Sequence, residues 1–257
     1  MRESAFFFAA RGGRLGEMME LVHNPAMDLR YQHGLYDENA LHWASKNGKA
    51  SAVALLLTND EFDVNEIFDK GRGALWFACE KCRASCVRQL LQDSRWEHNG
   101  EGDNWSFASA MLKGFGPVVL EWVASGKTID LEGVQRDLSS EGGPSHDMTS
   151  FIKSFALNPS GMRHAVRLNI GWYDDLAAEV FARVVFLSDG LLQLKKATEA
   201  RPLTIRFFRI AGQLPLELQM LCYRVAGIGK MAIPTQTSEI AFKNLALIFI
   251  FHAGSRD

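Results

Sequence analysis

What this chain of 257 residues has little of narrows what it can be. Cysteine is scarce, four in all, and three of the four are bunched at Cys79, Cys82 and Cys86. That is no spaced disulfide framework, and a reducing compartment fits best, cytoplasmic or nuclear. An excess of either charge is also missing: 28 Lys and Arg stand against 30 Asp and Glu, a net charge of −2. No positive field exists to hold a phosphate backbone or an anionic membrane, so neither nucleic acid nor membrane is expected as a partner. The longest apolar run near the end, Leu245 to Phe251, falls far short of the ~20 residues a membrane-spanning helix needs. It reads as the buried half of a packed helix. The opening MRESAFFFAARGGR lacks the apolar core and cleavage site of a secretory signal. What is left, 47% hydrophobic and 23% charged residues, is globular composition.

Within that composition one phrase recurs: FFFAARGG (6–13), LHWASKNG (41–48), LWFACEKC (75–82) and FASAMLKG (107–114). The alanines Ala9, Ala44, Ala78 and Ala110 form one column, Gly13, Gly48, Cys82 and Gly114 a second, and Leu21, Leu56, Leu90 and Trp122 a third. All three columns step by 32 to 35 residues. Each block predicts a short helix with a small residue where helices must approach closely, a turn, a second helix ending in an apolar pair, and a polar loop. One such unit cannot bury both its faces, so the units must stack.

This pattern resembles the ankyrin-repeat family, whose Leu-His-x-Ala phrase is best kept in Leu41, His42, Trp43 and Ala44, and whose closing "DVN" stands at 63–65. The resemblance implies an all-α fold: a solenoid of helix–turn–helix units over 4–138, a linker over 139–150 and a helical C-terminal domain over 151–252. The chain departs from the family in two ways. Thr-Pro before the Leu becomes Asn39-Ala40, Gly73-Ala74 and Trp105-Ser106, leaving only Asn39 as a direct helix cap. Cys82 replaces a turn glycine, so that turn either carries a strained backbone or takes another shape.

The stretch SSEGGPSHDMT punctuates the chain and ends the register. Beyond it, apolar residues return at three- and four-residue intervals, as in Leu176, Val180, Phe181, Val184 and Val185, which predicts packed helices. Their starts are expected at Ser145 or Asp147, Ser160, Pro215 and Ser238. Such a domain stacked on the last unit would cap it.

Enzyme motifs are absent, and no catalytic residue, metal or cofactor is assigned. Cys79, Cys82 and Cys86 with His98 invite a zinc reading, but the repeat puts the cysteines in a first helix, a turn and a second helix, where small apolar residues are wanted. His42 occupies the ankyrin His position, whose imidazole the resemblance implies to be a structural tie between units. GIGK at 227–230 lacks the spacing of a phosphate loop and reads as a helix end. Asp174 and Asp175 read as acids answering a helix N-terminus. The aromatic column Phe8, Trp43 and Phe77 reads as core packing, since the family has an inward leucine there.

The resemblance further implies a non-enzymatic protein–protein interaction module that binds a partner protein through its loop tips and concave face. The family's contact positions map to Leu35, Tyr36, Glu38, Lys46 and Asn47 in the second unit. They map to Asp69, Lys70, Arg72, Glu80 and Lys81 in the third, and to Glu101, Asn104, Leu112 and Lys113 in the fourth. An alternative comes from GQLPLELQMLCYRV (212–225), which resembles the opening of an F-box-type helix. There Leu214, Pro215, Glu217, Leu218 and Leu221 would dock a Skp-type adaptor, making the chain a substrate receptor of a ubiquitin ligase.

Overall fold

The alanine column sets the architecture. In the computed structural model Ala9, Ala44, Ala78 and Ala110 are each completely buried, the small volume that lets consecutive helices approach. The structure describes residues 5–22, 24, 29, 31–32, 38–68, 72–98, 101–140, 146–189, 210–211, 213, 237 and 239–246. These residues form helices and a single hairpin of two-residue strands.

Four helix pairs follow the four blocks: α1 (Ala5–Gly12) with α2 (Leu15–Val22), α3 (Ala40–Lys46) with α4 (Ala50–Leu57), α5 (Ala74–Glu80) with α6 (Ala84–Gln92), and α7 (Glu101–Leu112) with α8 (Gly116–Ser125). Every pair turns the same way. The column Gly13, Gly48, Cys82 and Gly114 is left-handed throughout, with φ of 71, 72, 54 and 69°. The amide after each then donates back to the column alanine: Arg14 to Ala9 O at 2.9 Å, Lys49 to Ala44 O at 2.9 Å, Arg83 to Ala78 O at 2.7 Å and Phe115 to Ala110 O at 2.8 Å. This satisfies carbonyls that a helix end would otherwise leave bare. Cys82 therefore keeps the glycine geometry and bears its strain.

The first helices stack in order, α1 on α3, α3 on α5 and α5 on α7, while α4, α6 and α8 stack beside them. Leu56, Leu90 and Trp122 are buried between the layers. α9 (Leu131–Ser140) then packs on α7 as the earlier first helices pack on one another, adding Val134 and Leu138 to the same core. Asp130 starts it, its carboxylate accepting from the Gly133 amide at 3.0 Å. That bond, and the one from Asn104, hold the Asp130 carboxyl below the usual carboxylate range. Between the second and third units, β1 (Ile67–Phe68) pairs antiparallel with β2 (Arg72–Gly73), Ile67 opposite Gly73.

α10 (His146–Leu157) and α11 (Pro159–Asn169) follow. Helix α11 starts two residues earlier than Ser160 predicts: Asn158 accepts from the Gly161 amide at 2.9 Å, and Pro159 takes the first helical position. A proline, whose missing N–H costs nothing there, fixes the start. By contacts the described residues divide into two units, 5–166 and 167–246. In the second, α12 (Trp172–Ser188) carries Asp174 and Asp175 in its first turn, as expected, and buries Ala178 and Ala182 against Ala241, Phe242 and Leu245. No helix among the described residues is long and apolar enough to cross a membrane.

Candidate functional site

Repeat geometry brings residues from successive inner helices onto one face. Trp43, on α3, is half-buried, and Phe7 of α1 meets its ring edge-on with centroids 5.7 Å apart. The Arg11 guanidinium lies 4.6 Å from the Trp43 centroid and the Lys46 ammonium 4.4 Å. Lys46 also sits 5.0 Å from the Phe77 ring of α5 and 3.6 Å from a Glu38 carboxylate oxygen. Cations held against ring faces in this way are attracted by the ring quadrupole and keep their charge available. One unit further on, Glu80 pairs with Lys113, and Ser109 Oγ stands 3.4 Å from the same carboxylate. Both signs of charge thus alternate along the inner helices, interleaved with aromatic surface.

The expected contact residues divide accordingly. Glu38 and Lys46 come together, as do Glu80 and Lys113. Arg72 lies in β2 with its guanidinium 5.5 Å from the Trp76 ring, and Lys81 is exposed at its turn. Asn47 is occupied in ending α3, its side-chain amide donating to Trp43 O at 2.7 Å. Glu101 opens α7, five residues before the first helical position that the register implies at Ser106. Asn104 is buried in that helix, donating to Asp130 at 2.9 Å and lying 3.1 Å from His98 Nε2. Leu112 packs on the core. Leu35, Tyr36, Asp69 and Lys70 lie outside the described residues, as do GIGK and the segment with Leu214, Pro215, Glu217, Leu218 and Leu221.

His42 is a structural tie. The Asn39 side chain caps α3 by accepting from the His42 amide at 3.1 Å, and the Asn39 amide donates to His42 Nδ1 at 3.2 Å. With Nδ1 accepting, the proton sits on Nε2, which donates to Glu66 O at 3.2 Å in the loop leading to the next unit. Burial pushes the imidazole pKa down to about 3, against the small opposing pull of the Glu66 carbonyl, so the ring is neutral. Cys79 in α5, Cys82 in the turn and Cys86 in α6 are free thiols in the places the repeat assigns them. Burial raises Cys79 well above the ordinary thiol range and pushes Cys86 up to about 12. Among the described residues no group of three or more His, Cys, Asp or Glu is placed to hold a metal.

A second set of ties, which sequence reasoning missed, runs along the loops that close each unit. Asn65 donates to Arg95 O at 2.8 Å and accepts from the Glu97 amide at 2.9 Å. Arg95 reaches back to Leu57 O at 2.7 Å, Lys127 to Asp93 O and Trp96 O at 3.2 Å, and Arg163 to Lys127 O at 3.3 Å. Each cation satisfies carbonyls at the end of the unit before it, and the repeat spacing of 95, 127 and 163 was the available signal. The aromatic column is mixed: Phe77 is buried as expected, but Phe8 is 38% exposed.

A scan against protein-family models matches residues 6–99 to ankyrin repeats, in three copies. No curated protein matches the chain. The three copies take in the helix pairs from α1 to α6, with their common turn and alanine column, so residues 6–99 form ankyrin repeats.

Proposed function

We propose that the chain is a non-enzymatic interaction module that holds a partner protein against the inner-helix face and the loops beside it. Ankyrin repeats mark a protein–protein interaction module. The observation that carries the finer reading is the row of Arg11, Trp43, Lys46, Glu80 and Lys113, where both charges and aromatic surface are offered from rigid helices. Aromatic and arginine anchors inside a polar surround are what protein interfaces are enriched in. A phosphate backbone would meet repelling carboxylates at Glu38 and Glu80. The array over 4–138 would supply this face, with the helical region over 151–252 as its extension, in a reducing compartment that keeps the thiols free.

Affinity capture with the full chain tests this, comparing the native protein with an Arg72→Ala/Glu80→Ala/Lys81→Ala variant whose melting temperature is checked first. Loss of a reproducible set of protein partners is expected. An unchanged set would place the interface elsewhere. Recovery of a Skp-type adaptor that a Leu214→Ala/Leu218→Ala variant loses would instead favour the ligase-receptor reading.

A further inference from the structure

The opposite ends of the inner helices, where each unit turns from its first helix into its second, carry a pattern of their own. The residue after the left-handed turn position is Arg14, Lys49 and Arg83 in the first three units, and the residue before it is Lys81 and Lys113 in the third and fourth. A Cβ at Gly13 would stand 2.9 Å from Lys49 Cδ, and one at Gly48 would stand 2.9 Å from Arg83 Cδ. Each cation therefore lays its stem across the bare glycine of the unit before it. Arg83 continues to Lys46 O, which its Nε meets at 3.4 Å. The heads are thus set in a row at the helix stacking interval, ~8–10 Å.

Little neutralises this row. Arg14 pairs with Glu17 at 3.1 Å with both side chains about half exposed, and Lys113 pairs with Glu80. No carboxylate among the described residues forms an ion pair with Lys49, Lys81 or Arg83. Helices α4 and α6 start on the same edge without a side-chain cap, and their first amides offset the negative ends of α3 and α5 that face the same turns, which leaves the side-chain charges to set the potential. The edge is basic although the chain as a whole is at −2.

We propose that this edge is a second interaction surface, one that takes an extended acidic segment of a partner protein. An extended segment in the polyproline II conformation has three residues per turn and advances ~3.1 Å per residue, so every third side chain returns to one face at ~9 Å and matches the interval between cations. A nucleic-acid strand fits less well, because its phosphates are more closely set and would meet Glu17 and Glu80 within the row. The edge adjoins the turn end of the inner-helix face and shares Lys81 and Lys113 with it, but Lys49 and Arg83 belong to none of the contact positions proposed there, so variants at those two residues test the edge alone. The two readings can fail independently.

The test is fluorescence anisotropy with the full chain and two labelled peptides of equal composition, one six repeats of Glu-Ser-Gly and the other with its six glutamates contiguous. At low salt the spaced peptide is expected to bind about fivefold tighter than the contiguous one, and to weaken steeply as salt is raised. Lys49→Glu/Arg83→Glu is expected to weaken it about tenfold or more, and Lys49→Gln/Arg83→Gln by an intermediate factor, with melting temperatures recorded for both. The neutral variant covers the case in which charge reversal unfolds the array. Absence of binding to the native chain overturns the proposal. So does equal affinity for the two peptides, tighter binding of a single-stranded DNA of equal charge, or full affinity in a folded variant.

Discussion

Cys82 stands in a column where the other three residues are glycine, and its φ of 54° is in the region an L side chain enters at a cost of roughly 1–2 kcal/mol. The structure shows why the cost is tolerated. The glycines at 13 and 48 must be bare because Lys49 and Arg83 cross them, whereas the position that would cross Cys82 from the next unit holds Phe115, and Cys82 and Phe115 both pack on the core. Replacing Cys82 separates two effects. Cys82→Ala removes the half-buried sulfur and keeps the strain, so it is expected to destabilise by about 0.5 kcal/mol. Cys82→Gly also removes the strain but gives the unfolded chain more freedom, worth roughly 0.4–1 kcal/mol in the other direction. Net, Cys82→Gly is expected to exceed Cys82→Ala by about 0.5–1 kcal/mol and to be no less stable than the native chain.

Urea unfolding followed by tryptophan fluorescence measures this, provided the slope m is unchanged so that the midpoint reports stability. A gain of ~1 kcal/mol corresponds to about 2–4 °C in melting temperature for a chain of this size. Cys82→Gly falling below Cys82→Ala would mean that the residue does not occupy the left-handed conformation, and the common turn of the four units would be wrong at its third member. Gly48→Ala is the reverse control: it meets both the φ penalty and the Arg83 stem, and is expected to lose about 1 kcal/mol or more.

Further outcomes follow from the same packing. Ala44 is completely buried between α1 and α5, so Ala44→Leu is expected to cost ~1–3 kcal/mol by overpacking, and an unchanged midpoint would refute the register. Arg88 holds the buried Glu121 through two 2.8 Å hydrogen bonds, so Arg88→Met, which strands that carboxylate, is expected to cost about 3–5 kcal/mol, and Arg88→Met/Glu121→Leu to recover most of it. His42 has its pKa lowered to about 3 from 6.5, so the unfolded chain binds its proton first. Its contribution is complete above pH 6.5 and is lost as pH falls toward 3, at up to ~1.4 kcal/mol per pH unit. Urea midpoints from pH 7.5 to 5 should show that slope in the native chain and a flatter one in His42→Gln, and equal slopes would show that the ring is not buried neutral.

The fold was legible where one residue type answers one physical demand repeatedly. Close helix approach needs alanine, and a left-handed turn favours glycine, so both columns stood out, and even the exception at Cys82 conforms. Starts set by tertiary contacts were not legible. Helix α7 begins at Glu101 and buries Asn104 against Asp130, a partner 26 residues away that no local signal points to. The start expected at Ser160 falls instead at Asn158, because Pro159 behind it is fixed in a first helical position and Asn158 accepts from the Gly161 amide. Phe8 followed the core column yet is exposed because, among the described residues, α1 has a neighbouring inner helix on one side only. Position in the stack, which a repeat alignment treats as equivalent, decides that residue's fate.

The same stacking that hides alanine fixes where charge stands. The inner helices α3 and α5 run from the loop side to the turn side, so their negative ends face the turns and favour cations there. Lys49 and Arg83 answer that field, yet they also stand at the starts of α4 and α6, whose amides repel them. The two helix ends roughly cancel, and dipole stabilisation gives no net reason for a cation at these positions. Exposed carboxylates gather on the loop side instead, at Asp60, Glu61, Asp63 and Glu97. An array with this arrangement presents a basic edge and an acidic rim on either side of its inner-helix face. A partner engaging that face would be oriented by the charge on both borders, and reversing Lys49 and Arg83 would change its approach rate more than its rate of release.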